Sequence, residues 1–232
     1  MSISLNNISK RYGDQTVLPD LSFDVSKGEI VGFLGPNGAG KSTTMKIITG
    51  YIKPDAGSVS VCGIDVIAEP LKAKSHIGYL PEHNPLYLDM YVKEYLDFIS
   101  GIYGIKNKKE RIDEIVEITG LEPEYKKQIG SLSKGYRQRV GLAAAIIHNP
   151  DVLILDEPTT GLDPNQIVEI RELIKNFGKE RTVLFSTHIM QEVEAVCDRF
   201  IILKKGEIVA DKRITDIEKG SLENIFTSIT KN

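Results

Sequence analysis

Tryptophan is absent from the 232 residues and cysteine occurs only twice. Cys62 and Cys197 lack the spacing of a metal-binding or redox pair, which excludes a disulfide-stapled domain and leaves two reduced cytosolic thiols. No apolar run reaches the roughly 20 residues that a membrane-spanning helix needs, and no secretory leader precedes the first folded-looking segment. Any membrane role must therefore come through a partner. Positive charge is not in excess either: 29 Lys and Arg stand against 32 Asp and Glu, a net charge of -3, which argues against nucleic acid as a partner. What remains is 41% hydrophobic and 26% charged residues, with no internal repeat or low-complexity linker. That is the composition of one folded domain with a subdomain rather than two independent units.

The apolar run Ile30, Val31, Gly32, Phe33, Leu34 reads as a buried parallel strand that ends where glycines begin. Gly35, Pro36, Asn37, Gly38, Ala39, Gly40, Lys41, Ser42 and Thr43 follow it. Glycines at 35, 38 and 40 allow a tight turn whose backbone N–H groups face one point, the place for a phosphate. Lys41 opens a helix expected to run to about Thr49, with Gly50 as its terminator. Its ammonium can reach the outer phosphates, while the helix N-terminus adds free N–H groups and a favourable dipole. Ser42 is expected to put its hydroxyl on Mg2+.

Such a loop alone serves kinases, GTPases, helicases and transporter motors. A second near-continuous apolar strand, Asp151 to Leu155, narrows the choice by delivering Asp156 to its carboxyl end, where parallel sheets bind ligands. Asp156 is expected in the magnesium shell, and Glu157 to orient or deprotonate the water that attacks the terminal phosphate. Pro158 prevents the strand from continuing.

The rest of the chain frames these two strands in an α/β pattern. Ile3 and Leu5, then Val17, Leu21, Phe23 and Val25, alternate with polar residues, as antiparallel strands with one wet face do. Further strands are expected at 57–61, 76–80, 182–186, 199–203 and 207–210, the last two as a hairpin. Helices are expected at 164–177 and 189–197, and a short one in the tail, 214–230. Between the phosphate strand and the acidic strand, Val92, Tyr95, Leu96, Ile99 and Tyr103 recur at helical spacing, as do Ile112, Ile115, Val116 and Thr119. This insert, roughly 84–131, reads as a helical subdomain. With the helix that follows Leu132 it is expected to cover 84–140, leaving 1–83 and 141–232 as the core with its antiparallel β-subdomain.

Leu132-Ser133-Lys134-Gly135-Tyr136-Arg137-Gln138-Arg139 completes an ordered set of motifs. By its own residues, Ser133 is a plausible N-cap of the helix that follows, offering free N–H groups and a hydroxyl to an anion, or an ordinary capped core helix. With the phosphate loop and Asp156-Glu157, the segment resembles the signature of ATP-binding subunits of ABC transporters, and the resemblance covers practically the whole chain. Lys134 and Tyr136 stand in place of the family's commonest Gly and Gln, while the Ser and the second Gly remain. The wording of Tyr79 to Tyr95 and Gly135 to Arg139 is most similar to the ABC-2 group and its bacteroidete gliding-motility subunits.

That resemblance implies a P-loop NTPase fold of the ABC ATPase type: a mixed RecA-like core sheet, an N-terminal antiparallel β-subdomain and an inserted helical subdomain. It implies an ATPase using ATP and Mg2+ at two composite sites of a head-to-tail homodimer, in which Ser133 and Gly135 of one copy close over ATP held by Lys41 of the other. Catalysis would rest on Glu157, His188 and Lys41. Nucleotide would meet Tyr12 on its adenine, the loop Gly35 to Thr43, Glu82, Ser133, Gly135, Asp156 and Asp163. The metal would meet Ser42, Glu82 and Asp156. Glu82 departs from the family's usual Gln; it keeps an oxygen ligand, loses the amide donor and adds a charge, a trait of the same subgroup. Integral membrane permease subunits are the implied partners, at the cytoplasmic face of the inner membrane, with gliding motility or export as the implied role. An alternative is a mechanical ABC ATPase that regulates an envelope complex without moving a solute.

Overall fold

Alternation of buried and exposed residues builds the first sheet, and a bulge corrects its phase. In β1 (Ile3–Tyr12) the buried residues Ile3, Leu5 and Ile8 step by two and then by three. The extra residue is accommodated where the register to β2 (Gln15–Val25) shifts between Leu5 and Ile8, with Asn7 at φ 50 and its N–H on the Ser22 hydroxyl at 2.8 Å. The computed structural model of the chain describes residues 1–230. β1 also pairs with β4 (Ala56–Val61), and β4 with β5 (Ile64–Asp65), giving an antiparallel sheet in the order β2-β1-β4-β5.

β3 (Ile30–Leu34) is buried on both faces, as a central parallel strand must be. It lies in a six-stranded sheet, β10-β9-β3-β8-β7-β6, with β6 (Ile77–Leu80), β7 (Val152–Asp156), β8 (Thr182–Ser186) and β9 (Arg199–Lys204) parallel to it. β10 (Glu207–Arg213) runs antiparallel along the edge. Val31 and Phe33 point to one core, shared with the antiparallel sheet and α1 (Lys41–Ile48), where Phe33 stacks on Phe23 with ring centroids 5.5 Å apart. Ile30 and Leu34 point to the other, shared with the helices that follow. The core sheet is thus covered on both faces, one by a second sheet and one by helices.

α2 (Pro70–Ser75) is a six-residue helix that buries only Ala73, too short and too polar to register as a periodic pattern. Between β6 and β7, α3 (Val92–Ile102), α4 (Lys108–Thr119) and α5 (Lys134–Ile146) pack through Val92, Leu96, Ile112, Ile115 and Val140. α5 continues to Ile146 alongside β6. α6 (Pro164–Gly178) and α7 (Met190–Val196) follow β7 and β8. β10 extends to Arg213 rather than stopping at Ala210, because it pairs along the whole of β9 and Asp211 takes a bidentate grip from Arg199 at 2.5 and 2.6 Å. The tail helix α8 (Leu222–Thr230) starts later than the sequence suggests. A single 3-10 turn occupies Ile214–Asp216, and the Glu194 carboxylate of α7 accepts the N–H groups of Gly220 and Leu222 at its start.

With β3, β7 and β8 parallel and adjacent, their carboxyl ends open onto one edge of the sheet. Gly35, Glu157 and Thr187 leave from that edge.

Candidate active site

The loop from Gly35 to Gly40 wraps closely against the end of β9 and the β2 strand. Gly40 has φ 105, and a Cβ there would stand 2.7 Å from the Leu18 side chain. Only glycine fits both the conformation and the space. Lys41, the first residue of α1, is buried and turns its Nζ back to the Gly35 carbonyl at 2.7 Å and the Pro36 carbonyl at 3.3 Å. Burial pushes its ammonium below the ordinary lysine range, opposed by the nearby carboxylates of Glu157, Asp156 and Glu82. A cation partly stripped of water, held among the loop carbonyls at a helix N-terminus, is suited to an anionic ligand.

The acidic end of β7 is held by a residue the sequence analysis did not single out. In the β7–β8 pairing, Asp156 lies opposite Ser186. The buried Ser186 hydroxyl donates to Asp156 Oδ1 at 2.6 Å and accepts the Glu157 N–H at 2.9 Å. Glu157 itself adopts φ 52, a strained conformation for a side-chain-bearing residue. In that position its Oε2 accepts from the Thr160 hydroxyl at 3.1 Å and stands 2.7 Å from His188 Nδ1. With Nδ1 donating to the carboxylate, Nε2 is left free to face a ligand.

A cleft of about 760 Å3 joins these groups, a volume that suits a nucleotide-sized molecule. Pro36, Gly38, Lys41 and Thr43 border it from the loop, Glu82 from the segment after β6, and Glu157 and His188 from opposite the loop. Phe226 of α8 borders it as well, a contribution no motif indicated. Ser42 and Glu82 are shared with an adjoining groove that also reaches Asp156. One hydroxyl and two carboxylates make an all-oxygen donor set beside a phosphate-sized cradle, which fits Mg2+.

The remaining sequence-derived residues lie elsewhere on the chain. Tyr12 is at the end of β1, half exposed, with the Lys10 ammonium 5.8 Å from its ring centroid; Gln15 and Val17 of the partner strand border the cleft. Ser133 caps α5, accepting the Tyr136 N–H at 3.3 Å, and is exposed. Gly135 is buried, and a Cβ on it would stand 2.4 Å from the Gln166 amide. Asp163 caps α6, accepting the N–H groups of Asn165 and Gln166 at 3.0 Å. The starts of α5 and α6 are therefore packed together within one chain, and neither Ser133 nor Asp163 borders the cleft.

Residues 18–160 match the ABC transporter family. The chain is 43% identical over 218 residues to an ABC transporter ATP-binding protein of Bacillus subtilis called YhcH, covering 92% of this chain and 70% of the relative. It is 39% identical to the bacitracin transport ATP-binding protein BcrA of Bacillus licheniformis, covering 94% of this chain and 71% of that one. Among solved structures, a dimeric ATP-binding cassette, MJ0796, in a post-hydrolysis state bound to ADP and Pi superposes with a TM-score of 0.83 at 26% identity, covering 91% of this chain and 98% of that one. Among the described residues no helix is long and apolar enough to cross a membrane. With the P-loop architecture, the phosphate-type cradle and the acidic strand end in place, the chain belongs to the ABC transporter family and is an ATPase that works on ATP with Mg2+.

Proposed function

We propose that two copies of this chain pack head to tail around two ATP molecules and drive a membrane permease of the ABC-2 type, in gliding motility or export. Each site takes its phosphate loop from one copy and Ser133 and Gly135 from the other. The observation that carries this reading is the split within a single chain. Lys41, Glu157 and His188 converge on one cleft, whereas Ser133 offers an exposed helix N-terminus outside it. Transport is also what the name of the bacitracin transport relative suggests.

In the closed site, Lys41 and the loop N–H groups bind the phosphates. Glu157, oriented by His188 and Thr160, aligns a water and accepts its proton as the water oxygen bonds to the terminal phosphorus and the bond to the ADP oxygen breaks. Lys41 and the loop amides stabilise the charge that develops on the transferred group. Ser42, Glu82 and Asp156 would hold Mg2+, which when bound neutralises charge on the phosphate oxygens. Tyr12 is assigned to the adenine and Asp163 to the partner-facing loop. Loss of the bridging phosphate then lets the copies separate.

The route to the permease runs through Glu82. It borders both the ATP cleft and a neighbouring groove of about 600 Å3 lined by Tyr79, Tyr95, Ile99 and Tyr103. Tyr87, Leu88, Phe98 and Ile102 are exposed near it, an apolar surface of the kind that partners cover. The decisive experiment is copurification of the Glu157→Gln form from native membranes, with mass spectrometry of what accompanies it. A multi-span permease, lost on Lys41→Ala, is the expected result. Recovery of only a single-span, periplasm-facing protein would replace transport with mechanical regulation of an envelope complex.

A further inference from the structure

We infer that Cys62, His76 and Asp151 form a transition-metal site, with Zn2+ as the ion their chemistry fits, at the end of the core sheet remote from the ATP cleft. These residues are far apart in sequence and come from three segments: the turn between β4 and β5, the residue that ends α2, and the residue that precedes β7. One ligand atom from each lies within 4.8 Å of the other two. Around a tetrahedral zinc with bonds of ~2.0–2.3 Å, ligand atoms stand roughly 3.3–3.8 Å apart, so only small side-chain movements separate this cluster from a coordination shell. His76 Nδ1 and Asp151 Oδ2 are already 2.6 Å apart, in a hydrogen-bonding contact that a metal ion would replace.

The backbone beneath the cluster is fixed. The His76 carbonyl accepts the N–H groups of Asp151 at 3.1 Å and Val152 at 3.0 Å, and the Cys62 N–H donates to Ser2 O at 2.8 Å. Ligands carried on paired strand ends keep their geometry better than ligands on free loops. The donor set of one thiolate, one imidazole and one carboxylate selects a borderline ion such as Zn2+ over the hard cations that the all-oxygen ATP site takes. Burial, then the negative charge of Asp151, raises the Cys62 thiol above its ordinary range, an effect a bound cation reverses. On binding, the thiol proton passes to solvent and the fourth coordination position stays open to water.

Asp151 immediately precedes β7 and Asp156 is its last residue, five positions on and roughly 16 Å away at ~3.3 Å per residue, so the two metal sites do not share ligands. A metal here would tie the antiparallel sheet, through Cys62, to two strands of the core sheet.

The test uses the full-length, untagged protein, stripped with a chelator and titrated with Co2+ in excess Mg2+, so that the ATP cleft does not compete. One equivalent of Co2+ should bind with a thiolate-to-cobalt charge-transfer band and the intense visible bands of a tetrahedral ion, and Zn2+ should displace it. Cys62→Ser should abolish the charge-transfer band and weaken Zn2+ binding by more than ~10-fold, and His76→Gln, checked for native circular dichroism, should weaken it similarly. Cys197→Ala should change nothing. Absence of the band in the wild-type protein, or its persistence in Cys62→Ser, overturns the site.

Discussion

His188 Nδ1 stands 2.7 Å from Glu157 Oε2, and Glu157 holds its side of that contact from a left-handed backbone at φ 52. Strain of this kind costs on the order of 1–3 kcal/mol and persists where surrounding contacts hold it, here the Ser186 hydroxyl on the Glu157 N–H. Glu157→Gln keeps the side-chain shape and removes the proton acceptor. It should lower the ATP turnover rate by about 100- to 10,000-fold while ATP affinity changes only slightly, as measured by phosphate release and equilibrium binding. Unchanged turnover would remove Glu157 from the chemistry.

Ser186 is the hinge between two acidic residues. Ser186→Ala leaves a buried Asp156 oxygen without its hydroxyl donor and the Glu157 N–H with only the Ser186 carbonyl at 3.2 Å, at a cost of about 1–3 kcal/mol in urea unfolding. Since Asp156 then loses its orientation, the Mg2+ concentration for half-maximal ATPase should rise. Ser186→Thr, which keeps a hydroxyl, should restore more of the metal response than of the stability.

Gly78 in β6 is where α5 rests on the core sheet. A Cβ at this position would lie 2.3 Å from the Ala145 carbonyl, a backbone atom that cannot rotate away. Gly78→Ala should destabilise the protein by about 1–3 kcal/mol and shift the helix that carries Ser133 at its start. Calorimetry reads the first effect. The second would appear as altered amide exchange along α5, without change at α1.

His148 gives the fold a pH dependence that its own chemistry explains. The ring stacks on Tyr103 with centroids 3.8 Å apart, Nε2 contacts the Ile77 carbonyl at 3.0 Å, and Nδ1 is buried with no hydrogen-bond partner. Burial lowers its pKa from 6.5 to about 4, with Arg111 adding to the effect and the Ile77 hydrogen bond opposing it. The unfolded chain therefore binds the proton first as pH falls below about 6.5, and stability is lost progressively until about pH 4. After discounting for partial exposure, the loss is on the order of 1–2 kcal/mol. His148→Gln, which retains a donor for Ile77, should flatten this part of the stability curve relative to wild type.

The legible parts of the molecule were those encoded by neighbours in sequence. The glycines, Lys41 and Ser42 act through one continuous strand–loop–helix, and Asp156 follows directly from the apolar run that ends in it. α5 starts at its capping serine, since a cap needs only three residues to form, and α6 starts at Pro164 as its pattern indicates. Ser186 and Thr160 were not legible, because a serine or threonine near a strand end is ordinary until pairing places it against a carboxylate. Phe226 falls in the tail helix expected within 214–230; its approach to the cleft depends on Glu194 anchoring α8 to α7.

The sequence by itself determined the class of chemistry, the phosphate loop, the acidic strand end and the order of most elements, since these rest on spacing within short windows, where backbone geometry is local. Tertiary structure alone decided which residues from different strands meet. The parallel order β3-β8-β7 brings Ser186 to Asp156 and His188 to Glu157. At the opposite end of β7, pairing of β7 with β6 and the close approach of the β4–β5 turn collect Cys62, His76 and Asp151, whose spacing in the chain carries no metal-site pattern. The physical reason is the same in both places: hydrogen-bond register between strands is a long-range choice, made by burying two faces of one sheet at once.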